Sequence, residues 1–334
     1  MLPLAARDFL RRHPVVCLLL LSPGIPEYLS GSSPLNAIIL NPPMFGFQLV
    51  ANLGLYGPGV LLVREAKIRW GKGWGTVLLL GAAYGVLEEG VALSTLFNPT
   101  AGPVGALGVY GHWLGVNWVW AAGIIPVHMI YSISIPIMVL GLALPETNGK
   151  RFLEGRKLAA AFVILGADVF ALFLLITLGI KFWMGMPVLI GSFGAIAALV
   201  ILARWVKADL VRARPGLPSM GPRRMVALGA VFYPCVLLTE FLVKGEGAPA
   251  LVDFALVVAV QGLFLACVLR VAGSTGNERN LVALALGLIL PIATFGAISE
   301  ASFPVSLLAD LVALAFFFRL FKAMPERGMN SIKG

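Results

Sequence analysis

Two residue types, glutamate and histidine, stand in unusual places in this sequence. Glu88 and Glu89 stand side by side in an otherwise apolar run that begins at Leu78 and passes through Gly81, Ala82, Ala83, Tyr84, Gly85, Val86 and Leu87. His128 lies in a second apolar run, Pro126-Val127-His128-Met129-Ile130-Tyr131-Ser132, and His112 sits between the two in a Gly-rich stretch that ends at Asn117. Carboxylates and imidazole are the side chains that hold divalent metals, activate water and shuttle protons. Two glutamates with one or two histidines therefore suit metal binding or water activation, with Glu89 and His128 the first choices as ligands of a metal such as zinc. A neutral glutamic acid could equally act as proton donor. A purely structural polar network is the competing reading, because buried imidazole often serves only as a hydrogen-bonding group.

For these residues to meet, their carriers must be membrane helices. Of 334 residues, 59% are hydrophobic and 12% charged, about half the usual supply of charge in a soluble domain. Apolar runs long enough to span a bilayer recur from end to end, and none alternates with period two as a barrel strand would. The expected fold is all-α, a polytopic bundle of about ten spans: 14–29, 37–63, 74–97, 117–144, 157–180, 184–203, 225–243, 249–270, 280–298 and 303–321. The whole chain, 1–334, reads as a single integral membrane domain. A division between 1–203 and 225–321 is conceivable at the basic loop around Pro215 and Pro218. The basic start and short apolar run from Arg7 to Leu21 resemble a signal peptide, but the run continues into Ser22-Pro23-Gly24-Ile25-Pro26-Glu27 without a cleavage site and reads as a retained first span.

Charge distribution tests the span count. With ten spans and both termini in the cytoplasm of a plasma (inner) membrane protein, only Lys181 and Lys244 among the 25 basic residues fall on the outer side. The net charge of +9 is thus a topology signal rather than a nucleic-acid footprint. Trp70, Trp74 and Trp205 fall at the inner boundary, and Trp113, Trp118, Trp120 and Trp183 at the outer one, where indole is favoured. Cys17, Cys235 and Cys267 have no metal or disulfide spacing and read as small apolar side chains.

Charges inside a bilayer are expensive, so each intramembrane ionisable group is a functional candidate. By helix rise, Glu89 lies about 12 Å and His128 about 16 Å below the outer surface on consecutive antiparallel spans. The two can share a level, with Ser132 one turn beyond His128 and His112 and Asn117 above. Glycines and alanines beside Glu88 and Glu89 permit close helix approach. Asp168 and Asp310, deep in the fifth and tenth spans, are further polar candidates for pairing or a proton path. Glu27, Glu240, Glu246, Asp253 and Glu300 cluster toward outer span ends, either as an acidic vestibule for cations or as merely solvated carboxylates.

The order Glu-Glu, His, His over about residues 80–135 resembles the CAAX-protease and bacteriocin-processing (CPBP) family of glutamate intramembrane proteases. The resemblance implies that Glu88 and Glu89 hold and activate water while His112 and His128 stabilise the oxyanion or orient that water. Leu93 stands where the family's EExxxR motif has arginine, Gly108 where FxxxH has phenylalanine, and Ser132 where HxxxN/D has Asn or Asp. Three functions follow as expectations: an intramembrane glutamate- or metal-dependent hydrolase acting on a membrane-embedded peptide, a proton- or cation-coupled transporter of a small solute, or a non-catalytic scaffold. In each, the lipid bilayer is a partner and nucleic acid is not. No nucleotide-binding motif is present.

Overall fold

The computed structural model describes residues 10–208, 220–245, 247–271, 278–299 and 304–323. Both chain ends, Glu246, Glu300 and most of the basic loop around Pro215 lie outside this set, and with them the expected placement of the termini. The fold is all-α, as its composition requires. Each of the ten apolar segments carries a helix: α1 Pro14–Tyr28, α2 Pro42–Arg69, α3 Trp74–Ala92, α4 Trp118–Ala143, α5 Arg156–Gly179, α6 Met186–Trp205, α7 Pro222–Gly245, α8 Ala250–Val271, α9 Glu278–Ser299 and α10 Pro304–Ala323. Among the described residues, seven of these are long and apolar enough to cross a membrane, namely α2 to α6, α8 and α9. α1 is shorter, and Ala37–Leu40 forms only a helical turn ahead of α2. A two-residue antiparallel hairpin, β1 His112–Trp113 and β2 Val116–Asn117, stands between α3 and α4.

The helices differ sharply in what surrounds them. In α3, 78% of the apolar window is buried within the protein, against 11% in α6 and α8 and 17% in α5. α3 is therefore the central helix, and α5, α6 and α8 present apolar side chains such as Phe162, Phe193 and Leu263 outward. Such outward apolar surface is what a lipid-facing helix needs.

Small residues set the closest approaches. α4 crosses α3 on a glycine face: a Cβ built on Gly81 would lie 3.0 Å from Met129 Cα, and one on Gly85 would lie 3.2 Å from the Ile125 carbonyl oxygen and 3.4 Å from His128 Cβ. Any side chain there would push His128 away from α3. α7 and α9 meet in the same way, since a Cβ on Gly229 would sit 2.7 Å from the Leu288 amide nitrogen. Residues from both ends of the chain share one buried apolar cluster, with Ile25, Tyr131 and Val139 packed among Met225, Phe232, Leu288 and Ile289. The Tyr131 hydroxyl donates to the Leu288 carbonyl at 3.2 Å, tying α4 to α9.

At the opposite end from the hairpin, buried charge does structural work. Glu65 on α2 is 1% exposed, and its Oε1 accepts from the amides of Phe152 at 2.5 Å and Leu153 at 3.2 Å. Arg69 pairs with Glu65 at 3.2 Å, and Arg64 donates to the carbonyls of Thr147 at 2.7 Å and Lys150 at 3.0 Å while stacking on Phe152. The α4–α5 connection is thereby clamped onto the end of α2.

Candidate functional site

The last turns of α3 do not keep the α-helical period. Val86–Ala92 widens into a π-helix, and so do His128–Ser134 in α4 and Gly24–Tyr28 in α1. π-segments of this kind are rare and often sit at functional sites. Here they carry Glu88 and Glu89, His128 and Ser132, and Glu27, so three neighbouring helices loosen where their polar residues face one another.

Glu88 and Glu89 grip His128 from two sides. Glu89 Oε1 lies 2.8 Å from His128 Nε2, and Glu88 Oε2 lies 3.0 Å from His128 Nδ1. The second contact is close but out of line for a hydrogen bond, and Glu88 Oε2 has no in-line donor. His128 Nδ1 is also 3.1 Å from the Ser132 hydroxyl. Glu88, Glu89 and His128 are 1%, 6% and 3% exposed. One ligand atom from each falls within 4.8 Å of the others, so the trio is able to hold a metal ion. An imidazole with a carboxylate oxygen at each nitrogen is short of positive charge. A proton or a bound cation supplies it.

The surroundings brace this trio. The helix ends at Ser94, which takes the left-handed region at φ 58° and turns the chain back over the site. Thr95 then donates its hydroxyl to the Glu89 carboxylate and accepts from the Trp120 indole at 3.1 Å. The rings of Tyr56 and Tyr84 flank His128 with centroids 6.1 and 6.2 Å away. The Tyr56 hydroxyl donates to Glu27 at 2.6 Å, and Ser33 donates to the other Glu27 oxygen at 2.8 Å. The Glu27 carboxyl is near enough to feel the charges of Glu88 and His128. Asp168 from α5 approaches from the other side, close enough for its charge to oppose that of Glu88, in a notch where a Cβ on Gly54 would lie 2.8 Å from its Oδ1.

Among the expected site residues, Glu88, Glu89, His128 and Ser132 are brought together, and Asp168 borders them. His112 is not part of the trio: its Nε2 lies 3.0 Å from the Phe97 carbonyl, which secures the hairpin instead. Asn117 is a structural residue. Its Oδ1 accepts from the Trp120 amide at 2.9 Å, capping α4, and its Nδ2 donates to the Leu107 carbonyl at 2.6 Å. Asp310 is buried on α10 and does not join the trio. Glu240 and Asp253 are 3% and 0% exposed, so they are neither solvated span ends nor the lining of an open vestibule; the helices and the connection before α4 cover them. Glu27, Tyr56, Tyr84 and Thr95 are the neighbours that residue spacing alone did not place at the site.

The fold and the site together define a multi-pass, all-α membrane protein with a buried Glu-Glu-His centre. No family model, no curated protein and no solved structure matches the chain.

Proposed function

We propose that the protein is a membrane-embedded hydrolase of the peptidase type, similar in its chemistry to the CPBP glutamate proteases, with both termini cytoplasmic and its centre in the outer half of a ten-span bundle. The observation that carries this reading is the meeting of Glu88, Glu89 and His128 at 2.8 and 3.0 Å, buried and flanked by the rings of Tyr56 and Tyr84. Carboxylates and imidazole held together, away from bulk water, are the groups that hydrolysis of an amide requires.

The residues divide the work as follows. Glu89, oriented by Thr95, is the general base that takes a proton from water as the water oxygen bonds to the carbonyl carbon of a membrane-embedded peptide. The same carboxyl passes that proton to the amine nitrogen as the carbon–nitrogen bond breaks, and the second water proton leaves with the new acid. His128, steadied by Glu88 and Ser132, donates toward the oxyanion. If a divalent metal such as zinc binds here, Glu88, Glu89 and His128 hold it, and it supplies Lewis acidity and a more acidic water.

The test uses purified protein in liposomes with a library of quenched-fluorescent apolar peptides. Glu88→Gln, Glu89→Gln and His128→Ala should each abolish cleavage while the thermal transition of the gentlest variant, Glu89→Gln, stays within a few degrees of the parent. Unchanged cleavage in all three variants ends the hydrolase reading.

A second reading has its own observation. Glu88 on α3 lies within electrostatic reach of both Glu27 on α1 and Asp168 on α5, which makes a file of carboxyls across three helices. Such a file is what a proton- or cation-coupled transporter needs. It predicts solute uptake that depends on pH and weakens in Asp168→Asn, with no peptide cleavage.

A further inference from the structure

The protein compensates most of its buried carboxylates. Glu65 has two amides and two arginines, Glu27 has two hydroxyls, and Glu89 has Thr95 and His128. Glu88 and Asp168 each leave one buried oxygen without a donor, and one pair leaves three. Glu240, five residues before the end of α7, and Asp253, three residues into α8, stand at similar depth on consecutive helices and are near enough to repel, and among the described residues both Asp253 oxygens and Glu240 Oε1 are buried without a hydrogen-bond partner. Neither carboxylate has an ion-pair partner among the described residues.

The surroundings are built around these carboxyls. Glu240 Oε1 occupies a notch in α4 that exists only because residue 123 is glycine; a Cβ there would collide with that oxygen. The Tyr110 hydroxyl from the connection before α4 lies beside Asp253, yet its proton goes to the Ala248 carbonyl at 3.1 Å. Burial and the Asp253 charge push the Tyr110 hydroxyl up from its ordinary range, so it remains a neutral oxygen. α8 is fixed against α4 by Gln261, whose side chain donates to the Ala122 carbonyl at 2.7 Å. Aromatic packing of Phe254 against Trp113 and Trp118, with centroids 6.0 and 6.4 Å away, closes the same corner.

We propose that Glu240 and Asp253, with the oxygens of Tyr110 and Ala248 beside them, form a second cation site that takes calcium. Three buried, unpartnered carboxylate oxygens on two helices are the observation that asks for a ligand. All donors are oxygen, which selects hard cations over zinc, and two carboxylates neutralise one divalent charge. Calcium accepts irregular oxygen geometry and gives up water more readily than magnesium, which suits a dry pocket made by side chains from separate elements. The ion would lock α7, α8 and the connection before α4 together, away from the Glu-Glu-His centre.

The experiment uses the full chain in detergent, stripped with chelator, then dialysed to equilibrium against radioactive calcium at micromolar to millimolar concentrations, with thermal unfolding in parallel. The expected result is about one calcium per chain and a transition raised by roughly 2 °C or more. Glu240→Gln and Asp253→Asn should lose both effects, whereas Glu89→Gln should keep them. Absence of bound calcium in the parent protein, or undiminished binding in the Glu240→Gln/Asp253→Asn double variant, overturns the proposal. If the double variant does not fold, Gly123→Ala, which crowds Glu240, should weaken calcium binding at least tenfold, and unchanged affinity there counts equally against the site.

Discussion

Replacing Glu65 by alanine tests the energetic logic of the fold independently of any assay for activity. The side chain is buried, its Oε1 accepts two backbone amides, and Arg69 lies 3.2 Å and Arg64 3.8 Å from its oxygens. Alanine would leave the Phe152 and Leu153 amides without acceptors and the buried Arg64 without its counter-charge. Each unsatisfied amide costs about 1–3 kcal/mol, and breaking one side of a buried pair about 3–5 kcal/mol. These costs overlap because one carboxylate serves every partner, so the expected loss is about 3–5 kcal/mol. Arg64 keeps its carbonyl acceptors at Thr147 and Lys150, which holds the loss toward the lower figure. Equilibrium unfolding in mixed micelles measures it, with Glu146→Ala as the control. Glu146 pairs with Arg11 at 2.8 Å, but both side chains are nearly half exposed, so its removal should change stability by less than about 1 kcal/mol. A loss below about 1 kcal/mol for Glu65→Ala, or equal losses in the two variants, would refute the claim that this carboxylate clamps the α4–α5 connection.

Three further outcomes are expected. Thr95→Val removes the donor to Glu89 and the acceptor of the Trp120 indole; it should cost about 1.5–3 kcal/mol and shift tryptophan emission, and an unchanged spectrum would count against the contact. Gly287→Ala drives a methyl into the Val226 backbone and should destabilise by about 1–3 kcal/mol in the same unfolding assay, more than Gly262→Ala, whose Cβ meets open space. Metal analysis of protein purified without chelator should show a transition-metal signal that Glu88→Gln and His128→Ala reduce, if the trio serves as a metal centre, while Asp253→Asn leaves that signal intact.

The all-α fold was legible because the bilayer removes the alternatives: a backbone without water must satisfy its own hydrogen bonds, so each long apolar run becomes a helix. Helix α7 forms at the expected place as well, over Pro222–Gly245. The convergence of Glu89 with His128 was also legible, since helix rise places them at similar depth on consecutive antiparallel helices, and the glycines at 81 and 85 allow the approach. Asn117 and His112 were chosen by type and nearness in the chain, and the chain spends them on a helix cap and a hairpin. Residue type does not reveal whether a backbone group will claim a polar side chain first.

What spacing concealed is the departure from α-helical period. On an ideal helix neighbouring side chains diverge by about 100°, so Glu88 and Glu89 would point in different directions. In the widened turn at Val86–Ala92 both reach the same imidazole, one at each ring nitrogen, while the matching π-segment in α4 turns His128 and Ser132 toward them. Glu27 comes within their electrostatic reach because Gly24–Tyr28 loosens in the same way after Pro23. These π-turns are held from outside: Ser94 in its left-handed conformation aims Thr95 at Glu89, and the Ser22 hydroxyl donates to the Ser132 carbonyl at 2.6 Å across α1 and α4. A backbone conformation that costs energy in isolation persists where neighbouring contacts over-determine it. Three such turns facing one another bring an imidazole and three carboxyls into one cluster whose geometry is set by the backbones of α1, α3 and α4.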